Sequence, residues 1–297
     1  MPPLANRAKA TSIPPTAVSG TGIVLGRFFA SQKLGRWALR VAAGLSLAYI
    51  LTPVFFVTWL AFFAQEIPSF PPEGYSLKWF RAIAGNDRFS SGFVLSLQVG
   101  VTATLIGLAI GVPAALCLVR SRFGGREFIN SLLLLPLVVP GIVLGIALYV
   151  FHVETEIATG WPILGSLGGL IAGHAVIVIP WTVRLVTASL VGMDRGIEEA
   201  AQSLGADRFT TFRRITLPSI LPGIVAAALF GFVSSFGNLE MSLFLVGPGR
   251  TTLPIAILQY LEWKIDPTIA AVSVLQILFI AGAMLITDRF VKISRVV

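Results

Sequence analysis

The feature that most constrains this fold is a series of six long apolar stretches with almost no charged residues. Each has about 20 residues or more, the length that an α-helix rising about 1.5 Å per residue needs to cross a bilayer core. None shows the period-two alternation of a transmembrane strand. The sequence therefore predicts an all-α, polytopic membrane protein with six transmembrane helices. They are Val41–Ala64, Phe89–Val119, Phe128–Val150, Leu164–Val183 with a continuation to Leu190, Ile220–Leu239 and Pro267–Thr287.

The charge content favours the same class of protein. Asp, Glu, Lys and Arg make up 12% of the chain, whereas a soluble domain carries about 25% to cover its surface. The net charge of +8 comes from basic residues scattered between the apolar stretches. That distribution argues against nucleic acid as a partner and for membrane lipid.

The positions of the basic residues predict the orientation of the spans. Of the 22 Lys and Arg residues, Arg184 lies within a span and sixteen lie in segments on the same side as the N-terminus. The other side has only five, which are Lys78, Arg81, Arg88, Arg250 and Lys264. Because cytoplasmic loops are enriched in Lys and Arg, both termini are predicted to be cytoplasmic.

The segments flanking the spans complete the predicted organisation. Residues 1–36 are basic and rich in Pro, Ser and Thr, and we expect a flexible cytoplasmic tail that is not a secretory signal. Residues 37–92 would hold the first transmembrane helix and an extracytoplasmic loop, 93–290 a core of five further helices, and 291–297 a short cytoplasmic tail.

Small residues recur four positions apart within the spans, a spacing that lets helix backbones approach closely in lipid. Prolines interrupt the second, third and fourth predicted helices, where each removes a backbone donor and is expected to bend its helix. The small residues are Gly107 and Gly111, Gly141 and Gly145, Gly165, Gly169 and Gly173, and Gly231 with Ser235; the prolines are Pro113, Pro136, Pro140 and Pro180.

Residues typical of catalysis or metal binding do not cluster in the sequence. There is no phosphate-binding Gly-x-x-x-x-Gly-Lys-Ser/Thr motif and no Gly-x-Ser-x-Gly motif. His152, expected near an outer helix end, and His174, expected to make an interhelical hydrogen bond, lack partners at metal-ligand spacing. Cys117, the single cysteine, is expected to be a packing residue. We predict no catalytic residue, no metal site and no cofactor bound by this chain.

The longest predicted cytoplasmic connection, residues 194–218, has the pattern of two short helices. Ile197, Ala200, Ala201 and Leu204 follow the spacing of an amphipathic helix, and Gly205 is a natural helix stop. A second helix is predicted to begin after the N-cap Asp207 and to end before Pro218. One interpretation is an interfacial helix that packs against lipid headgroups.

The same connection resembles the EAA loop of ABC-importer permeases. The matching residues are Glu199, Ala200, Ala201, Gly205, Ile215, Leu217 and Pro218. The resemblance implies a type I ABC-importer permease fold in a bacterial inner membrane, with a coupling helix inserted into a groove of an ATP-binding subunit. Glu199 would make polar contacts there, the two alanines would permit close approach and Gly205 would set the turn. Glu198 is a weaker candidate for such a contact, and the alternative is a solvated side chain.

The family resemblance also implies partners for this chain. They are a dimer of ATP-binding subunits that holds ATP and magnesium, an extracytoplasmic solute-binding protein, and a second permease, with a different chain favoured over a second copy. Residues 70–80, 135–141 and 266–273 resemble the spermidine and putrescine subgroup. That subgroup includes relatives for opines, phosphonates and ferric iron, so these solutes remain alternatives to a polyamine.

The polar residues within the spans are candidates for a translocation path. They are Ser234, Ser235, Asn238, Glu240 and Arg184. Arg184 and Glu240 are expected to face each other, a watery cavity or a partner subunit, because a charge in lipid is costly. Alternatively, Arg184 snorkels to the cytoplasmic surface, and Glu240 pairs with a neighbouring helix or lies at the outer surface. Polyamine permeases commonly have an acidic pair where this chain has Gly237 and Asn238, which weakens the polyamine prediction.

Two other classes of protein fit the sequence less well. A stand-alone secondary transporter would need ion-coupling acids and usually internal repeats. A membrane-embedded enzyme would need a catalytic cluster.

Overall fold

The computed structural model describes residues 21–291, which are almost entirely helical. Within that range there is no strand, and only an isolated bridge joins Phe63 and Tyr75. The all-α prediction is confirmed. The helices are α1 Thr21–Leu60, α2 Lys78–Ala84, α3 Asp87–Arg120, α4 Arg126–Leu134, α5 Gly141–Thr159, α6 Leu167–Val191, α7 Arg195–Ser203, α8 Arg208–Thr211, α9 Leu217–Phe236, α10 Leu239–Leu245, α11 Leu253–Trp263 and α12 Thr268–Val291.

Six segments in the described range are long and apolar enough to cross a membrane, as predicted. They are Gly35–Leu60, Asp87–Arg120, Gly141–Thr159, Leu167–Val191, Arg208–Phe236 and Thr268–Arg289. The first, second, fourth and sixth agree with the predicted spans to within six residues at either end. The third and fifth differ, and both differences have a local cause.

The third span begins later than its apolar sequence predicts. Phe128 lies in the separate helix α4, which is followed by a 3₁₀ turn at Leu135–Leu137, and the span itself is α5. The predicted helix Phe128–Val150 is therefore wrong, because Pro136 and Pro140 lack the N–H groups that would continue the helix. At its other end α5 runs past Val150 and ends at Gly160, which has a positive φ of 71°.

The fifth span is displaced towards the N-terminus. Its helical path begins at Arg208, continues through a π-helical turn at Phe212–Thr216, and ends at Phe236. The prediction had it running from Ile220 to Leu239. Gly237 ends the helix instead, and Asn238 begins α10 by accepting a hydrogen bond from the backbone N–H of Met241 at 2.8 Å.

Helices α3, α6 and α9 pack closely because small residues face large ones. A Cβ atom at Gly231 would lie 2.6 Å from Val178 Cγ1, and one at Gly111 would lie 2.6 Å from Thr182 Cβ. Gly107 also contacts the Val178 side chain. The prediction that these glycines allow close helix approach is confirmed.

The described part of the chain divides into two units at the boundary between Phe56 and Val57. Helix α1 begins at Thr21, inside the segment 1–36 that was predicted to be a flexible tail, and residues 1–20 lie outside the described residues. The predicted tail at 291–297 also lies outside them, apart from Val291.

Candidate coupling segment and polar residues of the spans

The first half of segment 194–218 forms the predicted amphipathic helix. Asp194 caps α7, its side chain accepting a hydrogen bond from the Gly196 N–H at 2.8 Å. Gly205 follows the helix with φ of +93° and donates its N–H to the Gln202 carbonyl at 3.0 Å. The helix stop predicted from Gly205 is confirmed, because few other residues adopt a positive φ without strain.

The second half begins as predicted but does not end as predicted. Asp207 caps α8 through the Phe209 N–H at 3.1 Å, and a hydrogen bond from the Thr210 side chain lowers the pKa of the Asp207 carboxyl. The helix then continues without a break through the π-helical turn into α9. The predicted end before Pro218 is wrong. The wider π-helical turn lies where the Pro218 ring would otherwise meet the carbonyl of Arg214.

This continuity changes the mechanical character of the segment. Ile215 and Leu217 are half-buried and Pro218 is exposed, and all three lie on the helical path that becomes the fifth span. A displacement of α8 therefore acts directly on that span, with no flexible joint between them.

The outer face of the segment is apolar and uncovered. No residue of α7 is buried, and the apolar side chains of Ile197, Leu204 and Phe209 are 52%, 89% and 69% exposed. Glu199 and Ala200 are exposed as well, and Ala201 is half-buried. An apolar surface of this kind at the end of a bundle is typical of a protein or membrane contact.

Glu198 is not the solvated side chain that was the alternative expectation. Its Oε1 atom lies 2.8 Å from Nη2 of Arg120 at the end of α3 and accepts a hydrogen bond from the Thr216 hydroxyl in the π-helical turn. Sequence reasoning missed this cluster, because its members are 78 and 18 residues apart from Glu198. The one available signal was an arginine at the predicted cytoplasmic end of a span.

The candidate path residues differ in their exposure. Ser234 and Asn238 are half-buried, while Glu240 on α10 and Arg184 on α6 are exposed. Arg184 and Glu240 do not form a salt bridge with each other.

The Glu240 carboxylate lies against the start of α5. A Cβ atom at Gly141 would overlap Oε2 of Glu240, and one at Gly145 would lie 3.1 Å from its carbonyl oxygen. Helix α5 begins at Gly141 after Pro140, which provides no side-chain cap. The carboxylate is therefore beside a helix N-terminus, where the helix dipole favours a negative charge.

Ser235 is buried in a polar contact with His174. The Nδ1 atom of His174 lies 2.9 Å from the Ser235 hydroxyl, and Nε2 lies 3.4 Å from the hydroxyl of Ser242. The predicted interhelical hydrogen bond of His174 is confirmed. His152 was expected near an outer helix end, but it lies within α5 and is buried. The described residues contain no group of three His, Cys, Asp or Glu side chains suited to a metal ion.

Comparison with protein families gives a clear match. Residues 107–295 match the family described as binding-protein-dependent transport system inner membrane component. The match includes the segment 194–218, the last four spans and the second half of the second span. The chain belongs to this family. It is the permease subunit of an ABC importer, as the resemblance of the loop predicted.

Several relatives of this permease are named for polyamines. The chain is 32% identical over 203 residues to the putrescine transport system permease protein PotI of Escherichia coli (strain K12), covering 68% of this chain and 72% of the relative. It is 29% identical over 220 residues to the spermidine/putrescine transport system permease protein PotC of the same strain, covering 74% and 80%. A probable molybdenum ABC transporter permease of Haloferax volcanii is 33% identical over 194 residues, covering 64% and 72%.

Solved structures support the same fold for the permease. A chain of a bacterial ABC transporter that imports the acidic polysaccharide alginate superposes with a TM-score of 0.65 at 14% identity, covering 88% of this chain and 97% of that chain. A chain of the MetNI methionine ABC transporter gives 0.57 at 22% identity, covering 71% and 96%. The predicted importer permease fold is confirmed.

Proposed function

We propose that this permease imports a small polar solute of the polyamine type, and that segment 194–218 couples the transport to ATP hydrolysis in a separate subunit. The putrescine and spermidine/putrescine relatives support the solute. The importer class is the same if the solute is an opine, a phosphonate or ferric iron. The relative named for molybdenum is of similar identity, so molybdate belongs among the solutes to be tested.

The observation that carries the coupling role is the uncovered apolar face of α7. Ile197 and Leu204 are exposed although helices of a single folded chain normally bury such side chains. A groove on an ATP-binding subunit provides an apolar environment for this face. Gly205 closes the turn at its end, and Glu199, on the same short helix, is free to make polar contacts with the groove.

Closure of two ATP-binding subunits would move the groove and the α7 segment within it. Because α8 continues into α9, that movement would tilt the fifth span as a rigid element. ATP and magnesium would be bound by the ATP-binding dimer and not by this chain. A second permease, in our proposal a different chain, would complete the path, and an extracytoplasmic binding protein would deliver the solute.

The proposed orientation places segment 194–218 in the cytoplasm of a bacterial inner membrane, with both termini on that side. The excess of Lys and Arg on this side supports it. In that orientation Glu240, Asn238 and Ser234 line the translocation path from the break between α9 and α10, and Arg184 lies nearer the cytoplasmic end of α6. Ser235 supports this region from inside the bundle through His174.

A cross-linking experiment on the assembled importer tests the coupling role. Leu204→Cys, in a Cys117→Ser background, is labelled with a thiol-directed photo-crosslinker. The matched control is Trp161→Cys, which is exposed in the predicted extracytoplasmic loop after α5. We expect light to join residue 204, but not residue 161, to the ATP-binding subunit. Labelling of residue 204 only from outside the cell, or no cross-link to that subunit, would contradict the proposal.

An uptake experiment tests the solute and the class of transporter. Proteoliposomes containing the complete importer are given labelled putrescine, with unlabelled spermidine, molybdate or a phosphonate as competitor. We expect ATP-dependent uptake that only the polyamine inhibits. Uptake by this chain alone, driven by an ion gradient, would favour a secondary transporter instead.

A further inference from the structure

Three residues from three different elements meet where segment 194–218 adjoins the end of α3. Arg120 ends the long helix α3, Glu198 lies in the first turn of α7, and Thr216 lies in the π-helical turn that leads into α9. One carboxylate oxygen of Glu198 accepts from both partners, from Nη2 of Arg120 at 2.8 Å and from the Thr216 hydroxyl.

The cluster is largely buried, so the charges of Arg120 and Glu198 must compensate each other. The side chains of Glu198 and Arg120 are largely buried, and Thr216 is buried. The Nη1 atom of Arg120 is also buried and has no hydrogen-bond partner. The guanidinium therefore relies on the single carboxylate of Glu198 for its compensation. Removal of one member of such a pair leaves a buried charge without its counter-charge.

The contact between Glu198 and Arg120 joins α7 to the second span, α3, which is distant from segment 194–218 in sequence. The side chain of Glu198 joins α7 to the end of α3 through Arg120 and to the π-helical turn through Thr216. Through Arg120, α7 also holds the end of α3, which packs along α6 at Gly107 and Gly111 and along α9 at Gly100. A force on α7 would then reach the second span as well as the fifth.

We propose that Arg120, Glu198 and Thr216 form a positioning strut that fixes α7 to the second and fifth spans and so converts its movement into transport. The strut rests on the proposed coupling role of segment 194–218. None of the three residues touches solute or ATP in this proposal. Their effect is on how much solute moves for each ATP hydrolysed.

The test measures putrescine uptake and ATP hydrolysis together in proteoliposomes containing the complete importer. We expect Arg120→Gln and Glu198→Gln each to lower the solute moved per ATP about fivefold or more, a change typical of coupling between sites. Arg120→Lys and the reversed pair Arg120→Glu/Glu198→Arg should restore most of it. Thr216→Val, which removes only the hydrogen bond, should have a smaller effect. Arg122→Gln, an exposed arginine two residues from Arg120, is the matched control.

The cross-link from residue 204, measured in each variant, separates the coupling role of segment 194–218 from the strut. An absent cross-link in the importer that carries only Leu204→Cys and Cys117→Ser would overturn the coupling role and the strut with it. A preserved cross-link with an unchanged ratio of solute to ATP in Arg120→Gln and Glu198→Gln would overturn the strut alone. If both single variants and the reversed pair fail to assemble, the cluster serves folding only, which also overturns the strut.

Discussion

The imidazole of His174 and the hydroxyl of Ser235 lie 2.9 Å apart in the interior of the bundle and join α6 to α9. The other ring nitrogen of His174 lies 3.4 Å from the hydroxyl of Ser242 on α10. A single buried side chain thus links three helices around the break at Gly237. Such a link holds the end of α9 and the start of α10 in a fixed relation to α6.

Loss of the Ser235 hydroxyl should destabilise the bundle. We expect Ser235→Ala to lower the free energy of unfolding by about 1 kcal/mol, because it leaves a buried nitrogen of His174 without its partner. Thermal unfolding of the detergent-solubilised importer would measure the change. Ser234→Ala, at the half-buried neighbouring position, is the control and should have little effect. Equal melting temperatures for the two variants would contradict the prediction.

Gly205 offers a sharper test of the coupling segment. A side chain at Gly205 would meet no atom within 4 Å, but φ of +93° strains any residue with a Cβ by about 1–2 kcal/mol. We expect Gly205→Leu to abolish ATP-dependent uptake and leave membrane insertion intact, because the turn is distorted and the side chain projects towards the partner. Gly124→Leu, also in open space but without a positive φ, should transport normally. Unaltered uptake by Gly205→Leu would argue strongly against the coupling role.

The sequence predicted those features that depend on neighbouring residues. The number of spans, the cap Asp207 and the stop at Gly205 each follow from a few adjacent side chains, and the described residues contain all of them. Sequence reasoning placed the third span wrongly because hydrophobicity alone does not show that Pro136 and Pro140 interrupt the helix and do not merely bend it.

Contacts between distant residues were mostly beyond the reach of a single sequence. The partners of Glu198 come from helices whose relative rotation only the folded bundle determines. The contact of Glu240 with Gly141 depends in the same way on how α10 packs against α5, which a single sequence does not determine. His174 was the exception, because a neutral polar side chain inside a span must find an interhelical partner.

The close contact of α3 with α6 gives a prediction about packing. Gly107→Ala would place a methyl group against Val178, and overpacking of this kind costs about 1–3 kcal/mol. We expect a lower melting temperature for this variant and partial recovery in the double variant Gly107→Ala/Val178→Ala, which frees the space. Gly282→Ala on α12 has no atom within 4 Å of the added Cβ and should be neutral. Failure of the double variant to recover would mean that the backbones, and not this side chain, set the helix separation.

A substitution of Glu240 separates its two proposed roles, the stabilisation of the α5 N-terminus and the attraction of a cation in the translocation path. Its carboxylate lies beside the uncapped start of α5 and is also exposed on the side of the bundle where the path is proposed. We expect Glu240→Gln to lower the free energy of unfolding by about 0.3–1 kcal/mol, because the helix dipole loses its negative partner. The same change should lower the maximal rate of putrescine uptake, because a cation crossing the path loses an attractive charge.

The variant Glu240→Asp distinguishes the charge from the contact with α5. Aspartate keeps the charge but is one methylene shorter, so it should preserve uptake of the cation while losing stability at Gly141. Glu262→Gln, an exposed acid on α11, is the control for net charge. If Glu240→Gln lowers the melting temperature while uptake below that temperature stays normal, the carboxylate holds α5 and α10 together and has no part in the path. Normal uptake with a normal melting temperature would remove both roles, and the exposed carboxylate would then be a surface charge.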